Sequence, residues 1–302
     1  MGKVIKGFII GACVCIVIGI IFFIGAACAG GISGAKSIME NGGITIGITS
    51  DDFVRGNTDT EHAISLSNIK EPSLELELGA GKFEIIESDV TDLVVKSSKK
   101  INVIQDGDTI IVRTPKQLTF INIGFGGNEN NVTIEIPRGM KFDDVIMNIG
   151  AGELRCENIT TDFLNMQLGA GTIVTDNYIS DAAVISVGAG EIIVGNGTAK
   201  DMDIDVGMGN FVFHGAVNGE LDVDCGMGNV QMWLNGSEKD YNYLVDCGMG
   251  NITVGNTSYG GVATDQDIDN NASYDCDLDC GMGNIEIHFE GTRRLPRTKP
   301  ST

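Results

Sequence analysis

The chain has 302 residues, with 41 Asp+Glu against 20 Lys+Arg and a formal net charge of −21. A surface that acidic repels nucleic acid and anionic lipid, which excludes both as partners of the folded part. Its 42 glycines beside only 5 prolines exclude collagen and Pro-rich linkers; they imply many tight bends, around a core the 42% apolar fraction can supply.

The chain opens on an apolar run. Residues 8–24 read FIIGACVCIVIGIIFFI, without charge or proline, and with their small-residue flanks they exceed the about 20 residues a helix needs to cross a bilayer. Lys3 and Lys6 precede the run, and Glu40, Asp51 and Asp52 follow it. Positive residues stay on the cytoplasmic side, so residues 1–30 read as a single-pass membrane anchor with a cytoplasmic N-terminus and an extracytoplasmic remainder. Two rival readings are a cleaved signal peptide, suggested by Ala27-Cys28-Ala29, and lipid attachment at Cys28. Residues 31–71 are polar and weakly patterned, the expectation for a membrane-proximal linker, and they admit a short helix near His62.

Residues 72–291 form the expected repeat domain. LELELGAGKFEII, from Leu74, is a first unit; two β-rich runs around Asp106-Gly107 predict a hairpin; and VTIEIP, from Val132, leads through Arg138-Gly139 into the regular part. This irregular section reads as an N-terminal cap, since an open solenoid end exposes unpaired backbone. A Gly-Ala-Gly or Gly-Met-Gly tripeptide starts at Gly79, Gly150, Gly169, Gly188, Gly207, Gly226, Gly248 and Gly281. From Gly150 to Gly226 every interval is 19 residues; the next two are 22 and 33, lengthened by polar insertions at 236–242 and 258–273 that read as surface loops.

In the unit LDVDCGMGNVQMWL, Leu221, Val223 and Cys225 alternate with Asp222 and Asp224, the period of a half-buried strand. The apolar parity then shifts across Gly226-Met227-Gly228-Asn229 to Val230 and Met232, so a corner lies there, with glycines supplying its backbone freedom. Each coil is thus strand, glycine corner, strand, turn, and coils bury their apolar sides only by stacking. The predicted fold is all-β: a single-domain β-solenoid of stacked ~19-residue two-strand coils behind one N-terminal transmembrane helix. The tail 292–302, with Arg293, Arg294, Arg297 and Lys299, is expected to be basic and disordered.

The apolar anchor, the strand pair near Asp106-Gly107, the VTIEIPRGMKF segment and the serial GAG and GMGN coils resemble the bacterial putative-adhesin family of β-strand-repeat proteins. That family is a domain of unknown function related to the toast-rack domains of envelope-stress operons. The resemblance covers residues 65 to 291. It implies a bacterial envelope location, a repetitive β ectodomain and a role in adhesion or envelope sensing, and it brings no catalytic residues. The 33-residue interval before Gly281 departs from the family's even spacing and leaves the register of the last coil open.

Repetition stacks equivalent positions into columns. Cys225, Cys247 and Cys280 take the place of Ile149, Leu168, Val187 and Val206, the expectation for buried apolar positions. In a parallel stack their side chains point the same way, a poor geometry for disulfides; there is no C-x2-C pair, and Cys276 and Cys280, four apart, would lie about 13 Å apart on one face of a strand. Asp205, Asp224, Asp246 and Asp279 align one residue earlier, with Asp203, Asp222 and Asp277 two residues before those. Solvation and salt can screen such rows; Ca²⁺ bridging is the sharper alternative, although the calcium nonapeptide is absent. Asn210, Asn229, Asn251 and Asn284 predict a hydrogen-bonded ladder after the corner. Met208, Met227, Met249 and Met282 replace Ala80, Ala151, Ala170 and Ala189 between the glycines, facing either outward or into a wider core. Trp233 reads as a strand residue covering core, and His214 and His288 as isolated.

No residue is assigned a catalytic, cofactor-binding or metal role, and no cofactor is expected. The favoured function is a non-enzymatic envelope protein, for adhesion or envelope-stress sensing, with an envelope or surface protein or a glycan as partner. The alternatives are a carbohydrate-active enzyme on a β-helix and a calcium-stabilised surface repeat protein. Between Asp143 and Gly291 only Arg155, Lys200 and Lys239 are basic, so an acidic polysaccharide is repelled, and the enzyme reading lacks a base and paired groove carboxylates.

Overall fold

The computed structural model describes residues 44–48, 60–67, 69–115, 118–123, 130–260 and 264–291. The apolar segment 8–24 and the basic tail 292–302 lie outside the described residues; within them no helix is long and apolar enough to cross a membrane.

The strands, in chain order, begin with β1 Ile44–Ile48, β2 Thr60–Ile64, β3 Ser73–Leu78, β4 Lys82–Ser88, β5 Leu93–Ser97, β6 Asn102–Asp106 and β7 Thr109–Arg113. There follow β8 Leu118–Ile123, β9 Asn131–Pro137, β10 Lys141–Ile149, β11 Glu153–Leu168, β12 Thr172–Val187, β13 Glu191–Val206, β14 Asn210–Val217 and β15 Leu221–Cys225. The last are β16 Asn229–Asn235, β17 Tyr241–Cys247, β18 Asn251–Val254, β19 Thr257–Gly260, β20 Thr264–Ile268, β21 Tyr274–Cys280 and β22 Asn284–Glu290. The chain divides into two compact units. In the smaller, β1 and β8 pair antiparallel with a bulge at Ile46/Gly47. In the larger, the other strands form the solenoid ladders. His62 sits on β2, antiparallel to β5, so the short helix admitted near it is replaced by an edge strand.

Two long ladders flank the glycine corners. Before the corners the order is β6, β7, β3, β10, β11, β12, β13, β15, β21, β17, β20; all pairings are parallel except those of the outermost β6 and β20. After the corners it is β2, β5, β9, β4, β11, β12, β13, β14, β16, β22, β18, β19, antiparallel only among the outer strands. Stacking is therefore not in chain order at either end. The coil of β3 and β4 lies between that of β7 and β9 and that of β10 and β11, and the coil of β21 and β22 slots between those of β15–β16 and β17–β18. That settles the register of the last coil: Cys280 sits between Cys225 and Cys247. The expected hairpin at Asp106-Gly107 is present, with Gly107 at φ +61.

The coil itself departs from the sequence expectation. Along β11 the buried residues are Leu154 and Cys156, then Ile159 and Thr161, then Leu164, Met166 and Leu168. Each group alternates, and each step of three residues between groups reverses the inward parity. β12 repeats this with Ile173 and Thr175, Tyr178 and Ser180, then Ala183, Ile185 and Val187. A coil thus has three inward-facing sides rather than two, because one strand runs on through two bends, which in β11 and β12 carry no glycine. The insertions also correct the loop expectation. Residues 236–242 include the one-turn 3-10 helix Glu238–Asp240, capped by Ser237, whereas 258–273 supply most of β19 and β20, which cover the outermost coil, that of β17 and β18.

Candidate functional site

The glycine corners set the geometry of the outer surface. At each of seven junctions the corner makes three backbone hydrogen bonds to the next, such as Gly226 N to Val206 O (2.9 Å), Met227 N to Gly207 O (2.8 Å) and Asn229 N to Gly209 O (3.0 Å). Most corner glycines have ordinary φ; what requires glycine is proximity. A Cβ on Gly228 would lie 2.4 Å from the carbonyl oxygen of Gly209, and one on Gly250 2.4 Å from that of Gly283. Only Gly81 (φ +152) and Gly171 (φ +108) also need the left-handed region. Locked this closely, the corners hold flanking positions in straight columns about 4.8 Å apart.

Four columns meet around the C-terminal corners. The methionine question is decided outward: Met208, Met227, Met282 and Met249 follow one another along the ridge, 64%, 55%, 55% and 69% exposed. On one side runs an exposed carboxylate face. Its first column is Asp205, Asp224, Asp279, Asp246 and Asp265; its second is Asp203, Asp222, Asp277, then the 47%-exposed Leu244, then Asp267. Partial burial, and then the neighbouring carboxylates, hold Asp222, Asp224 and Asp279 above the ordinary aspartate pKa. Among the described residues no group of three or more His, Cys, Asp or Glu is arranged to hold a metal ion.

On the other side the asparagine ladder forms as expected. Asn251 Nδ2 donates to Asn284 Oδ1 (3.2 Å) and Asn284 Nδ2 to Asn229 Oδ1 (3.1 Å), with Asn210 in register beyond. The cysteines are core. Cys225, Cys280 and Cys247 are buried and unbridged, and burial pushes the Cys280 thiol up to about 11.

Two further columns escaped the sequence reading. Asn177 donates to Asn158 (3.0 Å) and Asn196 to Asn177 (3.1 Å), a second amide ladder at the first of the two bends within the long strands. Trp233 is sandwiched between His214 (ring centroids 4.5 Å apart, 6° between planes) and His288 (5.2 Å, 25°), so neither histidine is isolated and the tryptophan is an outward, half-buried stack member. Glu286 accepts from Asn284 (2.9 Å) and Gln231 (3.2 Å) and faces His288 Nε2 at 3.5 Å, contacts that hold its carboxyl below the usual glutamate range. Both columns carry a signal in the 19-residue spacing: 158, 177 and 196 are all Asn, and 214 and 233 are both aromatic.

Two shallow troughs lie beside the alanine corners, one along Asn148, Gln167 and Ser186, another along Lys82, Glu84, Glu153 and Arg155. The geometry offers ordered lateral surfaces suited to extended contact.

No curated protein matches the chain. Among solved structures it is similar to a putative adhesin from Parabacteroides merdae (15% identity, 78% of this chain and 98% of that one, TM-score 0.40). It is also similar to a putative adhesin from Bacteroides fragilis (12%, 78% and 98%, TM-score 0.38) and a putative cell adhesion protein from Clostridium sporogenes (13%, 78% and 100%, TM-score 0.33). The profile of the Toastrack DUF4097 family matches residues 44–288, most of the chain, and the protein belongs to that family.

Proposed function

We propose that this protein is a non-enzymatic envelope component, anchored by its N-terminal apolar segment with the N-terminus in the cytoplasm, whose solenoid makes lateral contacts outside the membrane in adhesion or envelope sensing. The observation that carries the reading is the solenoid's outer surface. Registered side-chain columns run across four adjacent coils, and one of them exposes four methionines more than halfway to solvent. Large apolar side chains held in a row at exposed corners suit adaptable contact with another macromolecule. Envelope location rests on the apolar run 8–24 and the lysines before it.

The test is protease shaving of intact cells expressing the full chain. External protease is expected to degrade the solenoid while a membrane-retained N-terminal fragment survives. A solenoid protected until the cells are lysed would refute the topology, and hydrolysis of any polysaccharide in a cell-wall panel by the purified protein would refute the non-enzymatic reading.

A further inference from the structure

The eight glycine corners fall into two kinds, and two positions switch together. Four corners carry alanine (Ala80, Ala151, Ala170, Ala189), and three residues before each stands Glu77, Asn148, Gln167 or Ser186. The other four carry methionine, and three residues before each stands an aspartate: Asp205, Asp224, Asp279 or Asp246. Neither change serves the core, because both side chains are exposed and the alanine corners stack through the same backbone bonds. All four Met corners lie in one uninterrupted block: Met227 N bonds Gly207 O, Met282 N bonds Gly226 O and Met249 N bonds Gly281 O. The result is an apolar ridge about 15 Å long at strand spacing. Beside it lie nine exposed carboxylates and the exposed Leu244.

The charge on this block lacks internal partners. In the earlier coils acids pair with chain cations: Glu75 and Glu77 with Arg113 (3.2 and 2.9 Å), Asp162 with Lys141 (2.7 Å), Asp176 with Arg155 (3.0 Å), and Glu135 with Lys96. From Asp201 to Gly291 the sequence holds 17 acidic residues and a single Lys or Arg, Lys239, which lies on the 3-10 helix. Among the described residues none of the nine carboxylates has a lysine or arginine partner. Like charges about 5 Å apart repel, so a surface of this kind is completed by cations from outside.

We infer that the methionine ridge and the carboxylate face together dock a cationic, amphipathic polypeptide segment of another protein, with apolar side chains on the methionines and Leu244 and Lys or Arg on the aspartates. This inference rests on the reading of the solenoid as a contact surface and names the chemistry of what it contacts. Methionine's flexible, polarizable side chain accepts varied apolar partners, while the charge complementarity supplies fast, salt-sensitive association. The chain's own tail, with Arg293, Arg294, Arg297 and Lys299, matches the charge, but its one large aliphatic residue, Leu295, leaves most of a four-methionine ridge uncovered.

The experiment titrates full-length protein in detergent with two fluorescent peptides of equal charge, one alternating Leu and Lys, the other alternating Ser and Lys. The Leu-Lys peptide is expected to bind about tenfold tighter, with both affinities falling in about 0.5 M salt. Replacing the four methionines by alanine, the residue at the other four corners, should bring the Leu-Lys peptide to within about twofold of the Ser-Lys peptide and leave the latter unchanged. Asp224→Asn with Asp279→Asn should weaken both peptides. A preference for Leu-Lys that survives the methionine replacement overturns the inference. So does a gain of about tenfold in Leu-Lys affinity on deletion of 292–302, which would make the chain's own tail the occupant. Protease shaving tests envelope display independently, so failure of one reading leaves the other measurable.

Discussion

Replacing Gly228 by alanine tests the stacked corner most directly. Its added Cβ would meet the Gly209 carbonyl oxygen at 2.4 Å and the Val206 Cγ1 at 2.6 Å. Ordinary carbon–oxygen contacts lie near 3.3 Å, so the two coils must separate by roughly 0.9 Å at this point. They cannot do so freely, because the same Gly209 oxygen accepts the Asn229 N–H at 3.0 Å and Met227 N bonds Gly207 O at 2.8 Å. Overpacking costs about 1–3 kcal/mol and a strained or lost hydrogen bond about 1 kcal/mol more, so the expected loss is about 2–4 kcal/mol. For a domain of this size that is roughly 5–15 °C in Tm, read by far-UV circular dichroism on the full chain. Two controls separate crowding from conformation. Met227→Ala, next door but exposed, should change stability by less than about 0.5 kcal/mol. Gly107→Ala has φ +61 and open space around its Cβ, so it should cost about 1–2 kcal/mol through backbone strain alone. If Gly228→Ala were no worse than Gly107→Ala, close approach of neighbouring coils would not be the reason for glycine at the corners.

Other perturbations follow from the columns. Asn284→Ala removes the amide that joins Asn229 to Asn251 and should cost about 1–2 kcal/mol in urea unfolding, more than the same change at Asn210 at the ladder's end. Asp222, Asp224 and Asp279 have pKa values raised by folding, so the folded state binds more protons than the unfolded one and stability falls as pH rises through their folded values. The Tm should therefore rise as pH is lowered from 7 to about 5.5, still above the range where Asp201 and Glu286, both depressed, begin to cost stability on protonation; a steady fall over that interval would contradict the carboxylate face. Cys156, Cys225, Cys247, Cys276 and Cys280 are buried, and burial raises the thiol pKa of Cys156, Cys225, Cys276 and Cys280. All five should resist Ellman's reagent at pH 8 in the native protein and react once guanidinium unfolds it.

The parts of the fold most legible in the sequence were those where repetition and parity coincide. Gly-x-Gly spacing located the corners, and alternation such as Leu221, Val223, Cys225 located the strands before them. The third side of the coil was hidden because its bends carry no recurring glycine: in β11 the chain turns at Glu157-Asn158 and again at Asp162-Phe163 without one, while strand pairing continues, and of β11, β12 and β13 only β13 places glycines there, Gly195 and Gly197. The carboxylate and asparagine columns could be aligned from sequence, but their order could not, since period alone implies that coils stack as they are numbered. His214 and Trp233 were 19 residues apart throughout, yet a histidine has no periodic signature of its own, and its partnership becomes visible only when the outward positions of successive coils are laid side by side.

The departure from chain order has a physical cause that the polar insertions expose. Residues 258–273 cannot be buried between coils, because β20 turns Asp265 and Gln266 to solvent and pairs antiparallel, a geometry that ends a parallel stack. The coil bearing that insertion, β17 and β18, must therefore be outermost, and the only place left for β21 and β22 is on its inner side, against β15 and β16. There Cys276, Leu278 and Cys280 are covered on both sides, by Leu221, Val223 and Cys225 on one and by Tyr243, Val245 and Cys247 on the other. The N-terminal end obeys the same logic, with the antiparallel strands β2, β5 and β6 outside and the regular coil of β3 and β4 within. Short antiparallel strands blunt both ends against edge-to-edge aggregation. Growth of the stack by end-on pairing is thereby disfavoured, and what the solenoid leaves open to other molecules is its flank, where the methionines and aspartates lie.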